Sequence, residues 1–356
     1  MKQSFTFLLL LTFFTLNAQE NLDNFWIFGQ FSASDLPISQ GSIVDFGEDS
    51  IETFEHSVTF EMDFSNTSMC NETGNLLFYT NGRYVGDVEH NIMENGDSLN
   101  LEYMLGSSEY LILTQGVISV PMPDNPGKYY LFHLGVDTFH PDGELNVASF
   151  PLFYSVIDFT DTNRPLGYVS EKNTVVSTDT MNLGKLSMTR HANGRDWWLI
   201  CSQWNINKYN RFLISPEGIT ELQVQEVGIM THRGRGQVAF SPDGSMYASV
   251  ALKSGLEAYL DLYDFDRCTG ELSNHRQYLN TEGTSAVGVS FSPNSRYLYF
   301  NTRNNIYQYD THAEDIWSSE QHVAEYDGFE EEVYNDISGS TSFIPTPFFF
   351  TTTRSR

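Results

Sequence analysis

Apolar positions along this chain fall in short runs of four or five residues, rich in aromatic and branched side chains. Leu76-Leu77-Phe78-Tyr79-Thr80, Tyr129-Tyr130-Leu131-Phe132-His133, Trp197-Trp198-Leu199-Ile200-Cys201 and Tyr297-Leu298-Tyr299-Phe300 are examples. Each lies near Gly, Asn, Asp or Pro, the signature of strands separated by turns. No long stripe of apolar residues at a 3.6-residue period occurs, so the pattern predicts an all-β chain.

A repeated turn narrows the fold. Asn71-Glu72-Thr73-Gly74, Asp124-Asn125-Pro126-Gly127, His191-Ala192-Asn193-Gly194, Ser241-Pro242-Asp243-Gly244 and Ser292-Pro293-Asn294-Ser295 each introduce a strand. Their last positions follow one another at steps of 53, 67, 50 and 51 residues. Asn or Asp next to Gly supplies the positive-φ backbone of a tight hairpin. A period near 50, holding four short strands, is that of a β-propeller blade. The long step predicts an insertion between Phe139 and Asn163. A second element, Leu260 to Asp266, recurs as Asn305 to Asp310 and more faintly as Tyr154 to Asp158; it reads as a third strand ending in Asp. The prediction is six or seven four-stranded blades over residues 20–344. Residues 345–356 read as the start of an incomplete further blade or a tail, so the chain looks truncated.

The N-terminus adds an address. Lys2, the apolar run Phe5–Leu16 and the small Ala18 read as a secretory signal peptide over residues 1–19. The run is too short for a comfortable permanent span, and no Cys follows it to carry a lipid. A soluble, exported, monomeric protein without an integral membrane span is expected. Cys70, Cys201 and Cys268 have no metal-ligand spacing; the preferred reading is three unpaired, buried thiols, with one disulfide plus a free thiol as the alternative outside the cytoplasm. Asn66-Thr67-Ser68 and Asn71-Glu72-Thr73 match the glycosylation pattern, which has meaning in a eukaryotic secretory pathway.

Composition restricts partners. With 46 Asp plus Glu against 19 Lys plus Arg the net charge is −27, which disfavours nucleic acid and anionic membranes. Aromatic residues at 14% argue for a large core rather than disorder. The acidic surplus lies in turns and blade edges, where it favours solubility and discourages edge-to-edge pairing.

Gly74-Asn75-Leu76-Leu77-Phe78-Tyr79-Thr80-Asn81-Gly82, Asn91 to Gly96, Asn24 to Gly29, Arg190 to Trp198, Phe240 to Gly244 and Phe265 to Gly270 together resemble segments of extracellular WD-repeat-like propellers of gliding Gram-negative bacteria. The resemblance runs from about residue 22 to about residue 330. It implies export, often by the type IX route, with a C-terminal sorting domain that this sequence does not show, and no assigned activity.

Candidate chemistry is sparse. His191, Arg195 and Asp196 could serve acid–base work, but a turn His and a strand Asp bonded to each other, fastening strands, is the preferred reading. Asp261, Asp264 and Asp266 could approach calcium, yet strand alternation puts Asp261 on the opposite face from the other two. They read as a solvated blade edge. Glu330-Glu331-Glu332 reads as a solvated loop, and His232, Arg233 and Arg235 as a basic loop paired internally or facing an anion. No G-x-S-x-G, P-loop, dinucleotide fingerprint or HExxH occurs. No catalytic residue, cofactor or metal is therefore expected. The expected function is an exported, non-catalytic propeller binding a protein or glycan through its loops. A polysaccharide hydrolase or lyase using channel carboxylates, and a truncated fragment without independent function, stay open as alternatives.

Overall fold

The computed structural model describes residues 22–326, apart from 29–40, 48–49, 57–58, 63–64, 101, 104–110, 112, 140–145, 221, 230–235, 253–256, 283–287 and 303. Residues 1–21 and 327–356, which hold the signal-peptide reading, Glu330–Glu332 and the C-terminal repeat, lie outside the described residues, as do His232, Arg233 and Arg235.

Six small antiparallel sheets stand in a ring as a six-bladed β-propeller. The first holds β1 (Phe25–Phe28), β2 (Gly41–Phe46) and β3 (Ile51–His56). The second holds β4 (Thr67–Cys70), β5 (Leu76–Thr80) and β6 (Val85–Gly86). The third is β7 (Val117–Pro121), β8 (Lys128–Phe139), β9 (Asn146–Asp158) and β10 (Tyr168–Ser177). In the fourth, β11 (Ser187–Arg190), β12 (Trp197–Ser202) and β13 (Lys208–Ser215) are followed by β14 (Gly218–Ile219) and β15 (Gln223–Glu226), both paired with β13. The fifth is β16 (Val238–Phe240), β17 (Met246–Leu252), β18 (Ala258–Asp266) and β19 (Glu271–Asn280). The sixth is β20 (Gly288–Phe291), β21 (Tyr297–Asn301), β22 (Asn305–Asp310) and β23 (Gln321–Glu325).

The repeated turns join first to second strands as the sequence predicts. Gly74, Gly127, Gly194, Gly244 and Ser295 all have φ between 60° and 84°. Within the turn a side-chain oxygen collects donors: Asp243 Oδ1 accepts from the Ser241 hydroxyl at 2.6 Å, the Ser245 amide at 3.0 Å and the Ser245 hydroxyl at 2.8 Å. The long step is taken up by the extended β8–β9 hairpin, whose strands have 12 and 13 residues.

The core lies between blades, because each sheet buries both faces near the axis. Trp198, Ile200 and Tyr209 of the fourth blade pack on Val238, Tyr247, Tyr263 and Phe265 of the fifth. Ala248, Leu260 and Leu262 of the fifth pack on Leu298, Phe300 and Tyr309 of the sixth. Loops before the innermost strands are stitched together. Lys185 N donates to Thr114 O and Leu186 N to Gln115 O, each at 3.0 Å. Thr114 Oγ1 donates to Gly236 O at 2.8 Å, while the Gln115 carboxamide donates to Val238 O and accepts from Val238 N.

Candidate functional site

The residues singled out in the sequence are placed apart and mostly serve the fold. His191 and Asp196 do not bond through their side chains, contrary to expectation. The His191 ring bonds Asn193 N and, across the blade boundary, Cys268 O at 3.1 Å. Asp196 is held by Arg195 Nε at 2.7 Å and Asn193 Nδ2 at 2.8 Å, and this pairing keeps its carboxyl below the usual range. Arg267, within the Phe265–Gly270 segment but given no role of its own by the sequence, is the main bolt here. Its guanidinium donates to Arg190 O at 2.9 Å, Asp243 O at 3.0 Å and His191 O at 3.3 Å. Its own carbonyl accepts from Ala192 N and Trp198 Nε1. Arg267→Ala is expected to lower stability by about 2 kcal/mol in urea unfolding, since charged donors to several carbonyls are lost. Arg267→Lys should restore less than half, because an ammonium cannot reproduce the fork.

Asp261 corrects a second expectation. It is buried, not on a solvated edge: His275 Nε2 lies 2.7 Å and Gln277 Nε2 2.8 Å from its Oδ1, and both come from β19. Asp264 pairs instead with Arg276 and Asn274, and Asp266 caps the turn amides of Cys268 and Thr269. Among the described residues no group of His, Cys, Asp and Glu could hold a metal ion. The cysteine expectation is also revised. Cys70 and Cys201 are buried and Cys268, in the turn after β18, is exposed; all three are free thiols. Burial pushes the Cys70 thiol up to about 12 and raises that of Cys201 further, so neither supplies a thiolate at neutral pH.

Two buried bases lie near the stitched loops. Lys185 is 1% exposed, and burial pushes its ammonium down to about 8 against the opposing field of Asp261. His133 is 0% exposed, with Nδ1 2.8 Å from Asn100 Oδ1 and Nε2 3.0 Å from Ser155 Oγ. Asn100 Nδ2 donates to Gly82 O, which turns its oxygen toward the imidazole. Burial keeps the ring neutral, and with Nδ1 donating to the Asn100 oxygen, Nε2 accepts from the Ser155 hydroxyl.

An open groove of about 360 Å³ lies on the sixth blade, beside the segment joining β22 to β23. Tyr297, Gln308, Asp310, Ser318, Glu320 and Gln321 line it. Strand alternation explains the lining: Tyr297 and Tyr299 of β21 share a face with Gln308 and Asp310 of β22, opposite the core-facing Leu298 and Tyr309. The side chains are held in place. Arg296 forks onto Asp310, with Nη2 2.6 Å from Oδ2, and its guanidinium sits 5.3 Å from the centre of the Tyr297 ring. The Tyr299 hydroxyl donates to Gln308 Oε1 at 2.9 Å, leaving the amide nitrogen as the donor for the groove. Glu320 Oε2 accepts from the hydroxyls of Tyr309 at 2.6 Å and Tyr278 at 3.3 Å. The groove thus offers carboxamide donors, carboxylate acceptors and one aromatic face, with its nearest cation already neutralised. Nothing in the sequence marks it, since it is made of ordinary strand residues brought together by register.

No family model matches this sequence, and no curated protein does. Solved structures do. A Bacteroides fragilis protein provisionally assigned as a 6-phosphogluconolactonase is 14% identical, with 85% of this chain and 80% of that one covered and a TM-score of 0.43. A functionally unknown protein from Desulfotomaculum acetoxidans is 11% identical, with 81% and 79% covered and a TM-score of 0.44. The assignment as a propeller rests on this chain's own strand order and turns.

Proposed function

We propose that this protein is an exported binding module that takes a neutral, hydroxyl-rich glycan in the groove of the sixth blade, at the cell surface or outside the cell. The groove carries the reading. Planar carboxamide and carboxylate groups can pair with neighbouring sugar hydroxyls, and the Tyr297 ring can cover a face of C–H bonds. A volume of about 360 Å³ accommodates a single sugar ring at the end or edge of a longer chain. A net charge of −27, with Arg296 bound to Asp310, disfavours anionic sugars. Export is supported by the apolar run Phe5–Leu16 and by the resemblance to exported propellers.

The test is titration calorimetry against a panel of neutral and anionic oligosaccharides. Gln308→Ala and Tyr297→Ala should each weaken binding of a neutral hit about tenfold, the loss of one good contact, while leaving the melting temperature within a few degrees. Binding confined to anionic glycans, or to none, would defeat the reading. Release of reducing ends from a bound polysaccharide would replace it with a hydrolase or lyase.

A further inference from the structure

The groove of the sixth blade holds one charge that nothing around it balances. Arg296 is taken up by Asp310, whose oxygens accept from its Nε and Nη2 and from the His312 amide. Glu320 differs. Its Oε2 accepts the hydroxyls of Tyr309 and Tyr278, both neutral donors, and among the described residues it has no ion pair. Those bonds hold one oxygen and leave Oε1 for a guest. Tyr278 belongs to β19 of the fifth blade, and its ring also stacks on Trp317 with centres 5.5 Å apart. The carboxylate is thus fixed from two blades.

The free groups beside it are mostly acceptors. The Ser319 hydroxyl donates to Ile316 O and accepts from Asp310 N, so it has little left to offer. The Ser318 hydroxyl donates to Asp315 Oδ2, which leaves its lone pairs for the groove. The Gln321 carboxamide, which also lines the groove, makes no hydrogen bond among the described residues. Ser318 Oγ, Glu320 Oε1 and Gln321 Oε1 therefore stand as three acceptors on one short segment. Gln308, the cross-strand partner of Gln321, supplies a donor, because its Oε1 is occupied by the Tyr299 hydroxyl. A sugar hydroxyl has one hydrogen for three such acceptors, whereas an ammonium has three hydrogens and no lone pair. Its charge also meets an unpaired carboxylate on a chain of net charge −27.

We propose that the sugar unit seated in this groove carries a free amino group, so that the preferred ligand is a glycan with unacetylated hexosamine units. The inference rests on the glycan reading of the same groove and narrows it. The protonated amine donates to Glu320 Oε1, Ser318 Oγ and Gln321 Oε1, while Gln308 Nε2 donates to a neighbouring hydroxyl and the Tyr297 ring covers C–H bonds. N-acetylation replaces three charged donors with one neutral N–H and adds bulk, so an acetylated unit loses the pairing. Glu320 is exposed and its charge is screened by water, which keeps the gain to about fivefold in affinity.

Titration calorimetry on the full chain tests this with oligosaccharides of equal length and linkage, built from glucosamine, N-acetylglucosamine or glucose. At low salt, and at a pH that keeps the amine protonated, the glucosamine form should bind about fivefold more tightly than either other form. The advantage should shrink as salt rises. Glu320→Gln keeps the shape and removes the charge; it should erase the advantage while changing glucose-form binding less than about twofold. Glu52→Gln, at an exposed position on the first blade, removes the same charge elsewhere and should leave the advantage intact. An advantage below about threefold, with the glucose form still bound, overturns this proposal and leaves the glycan reading standing. An advantage that survives Glu320→Gln, or falls equally with Glu52→Gln, also overturns it, in favour of general attraction of a cation to an acidic protein. Binding of none of the three sugars defeats the glycan reading and this narrowing with it, and Glu320-dependent binding of a lysine-rich peptide would then give the groove to a basic peptide.

Discussion

Gly184→Ala is expected to cost more than about 4 kcal/mol, a large share of the 5–15 kcal/mol that holds a typical domain folded. Gly184 has φ of +76°, and a Cβ built on it would lie 1.7 Å from the Thr114 carbonyl oxygen and 2.8 Å from its carbon. The obstacle is backbone, so no rotamer change relieves it. The loops at 114–116 and 182–186 would have to separate, breaking the bonds from Lys185 N to Thr114 O and from Leu186 N to Gln115 O. Thr114 and Gln115 also hold Gly236 and Val238, so the damage reaches the third, fourth and fifth blades together. Gly194→Ala is the control. Its φ is +75°, almost the same, yet a Cβ there meets nothing within 4 Å. That substitution should cost only the left-handed backbone term, about 1 kcal/mol. Urea unfolding of both variants separates close approach from backbone preference. Equal losses would show that the stitched loops do not carry stability.

The contrast between these two glycines marks where the sequence is informative. Gly194 belongs to a local four-residue turn whose composition repeats, so its conformation is written in its neighbours. Gly184 is constrained by Thr114, seventy residues away, and no local pattern reports that. The same division runs through the molecule. Strands such as Trp197–Ser202 and Tyr297–Asn301 are legible because alternation and aromatic content are local properties. The burial of Asp261 is not, because it depends on His275 and Gln277 arriving from the neighbouring strand. Nor is the direction of β1, which the bonds from Cys70 N to Leu22 O and from the Ser68 hydroxyl to Phe25 O set against β4. The groove was hidden for a third reason. Tyr297, Gln308 and Asp310 are unremarkable strand residues, and only the pairing of Tyr297 with Asp310 and Tyr299 with Gln308 puts them on one face.

Acid should unfold this protein partly through one imidazole. His133 is fully buried between Asn100 and Ser155, and burial pushes it down from 6.5 to about 3. The folded chain therefore resists a proton that the unfolded chain accepts readily. Between pH 6.5 and about 3 the unfolded state binds one more proton at this site than the folded state, so stability rises with pH across that window. The contribution is complete above pH 6.5 and lost progressively as pH falls. Each pH unit within the window costs up to about 1.4 kcal/mol, which gives about 2 kcal/mol by pH 5 and about 5 kcal/mol near pH 3. Asp158 adds a separate loss lower down. Hydrogen bonds from Thr160 and the Lys128 ammonium outweigh burial and hold its carboxyl at about 2, so its contribution fades only below pH 4. His133→Gln removes the titrating group while keeping a planar donor and acceptor in the cavity. The variant should be less stable than the parent at pH 7.5, since the amide will not match both bonds. Between pH 6.5 and 4.5 its unfolding free energy should fall by about 2 kcal/mol less than the parent's, where carboxylates contribute least to the difference. Parallel curves for the two proteins over that range would mean that the imidazole gains solvent or a carboxylate partner before it accepts its proton.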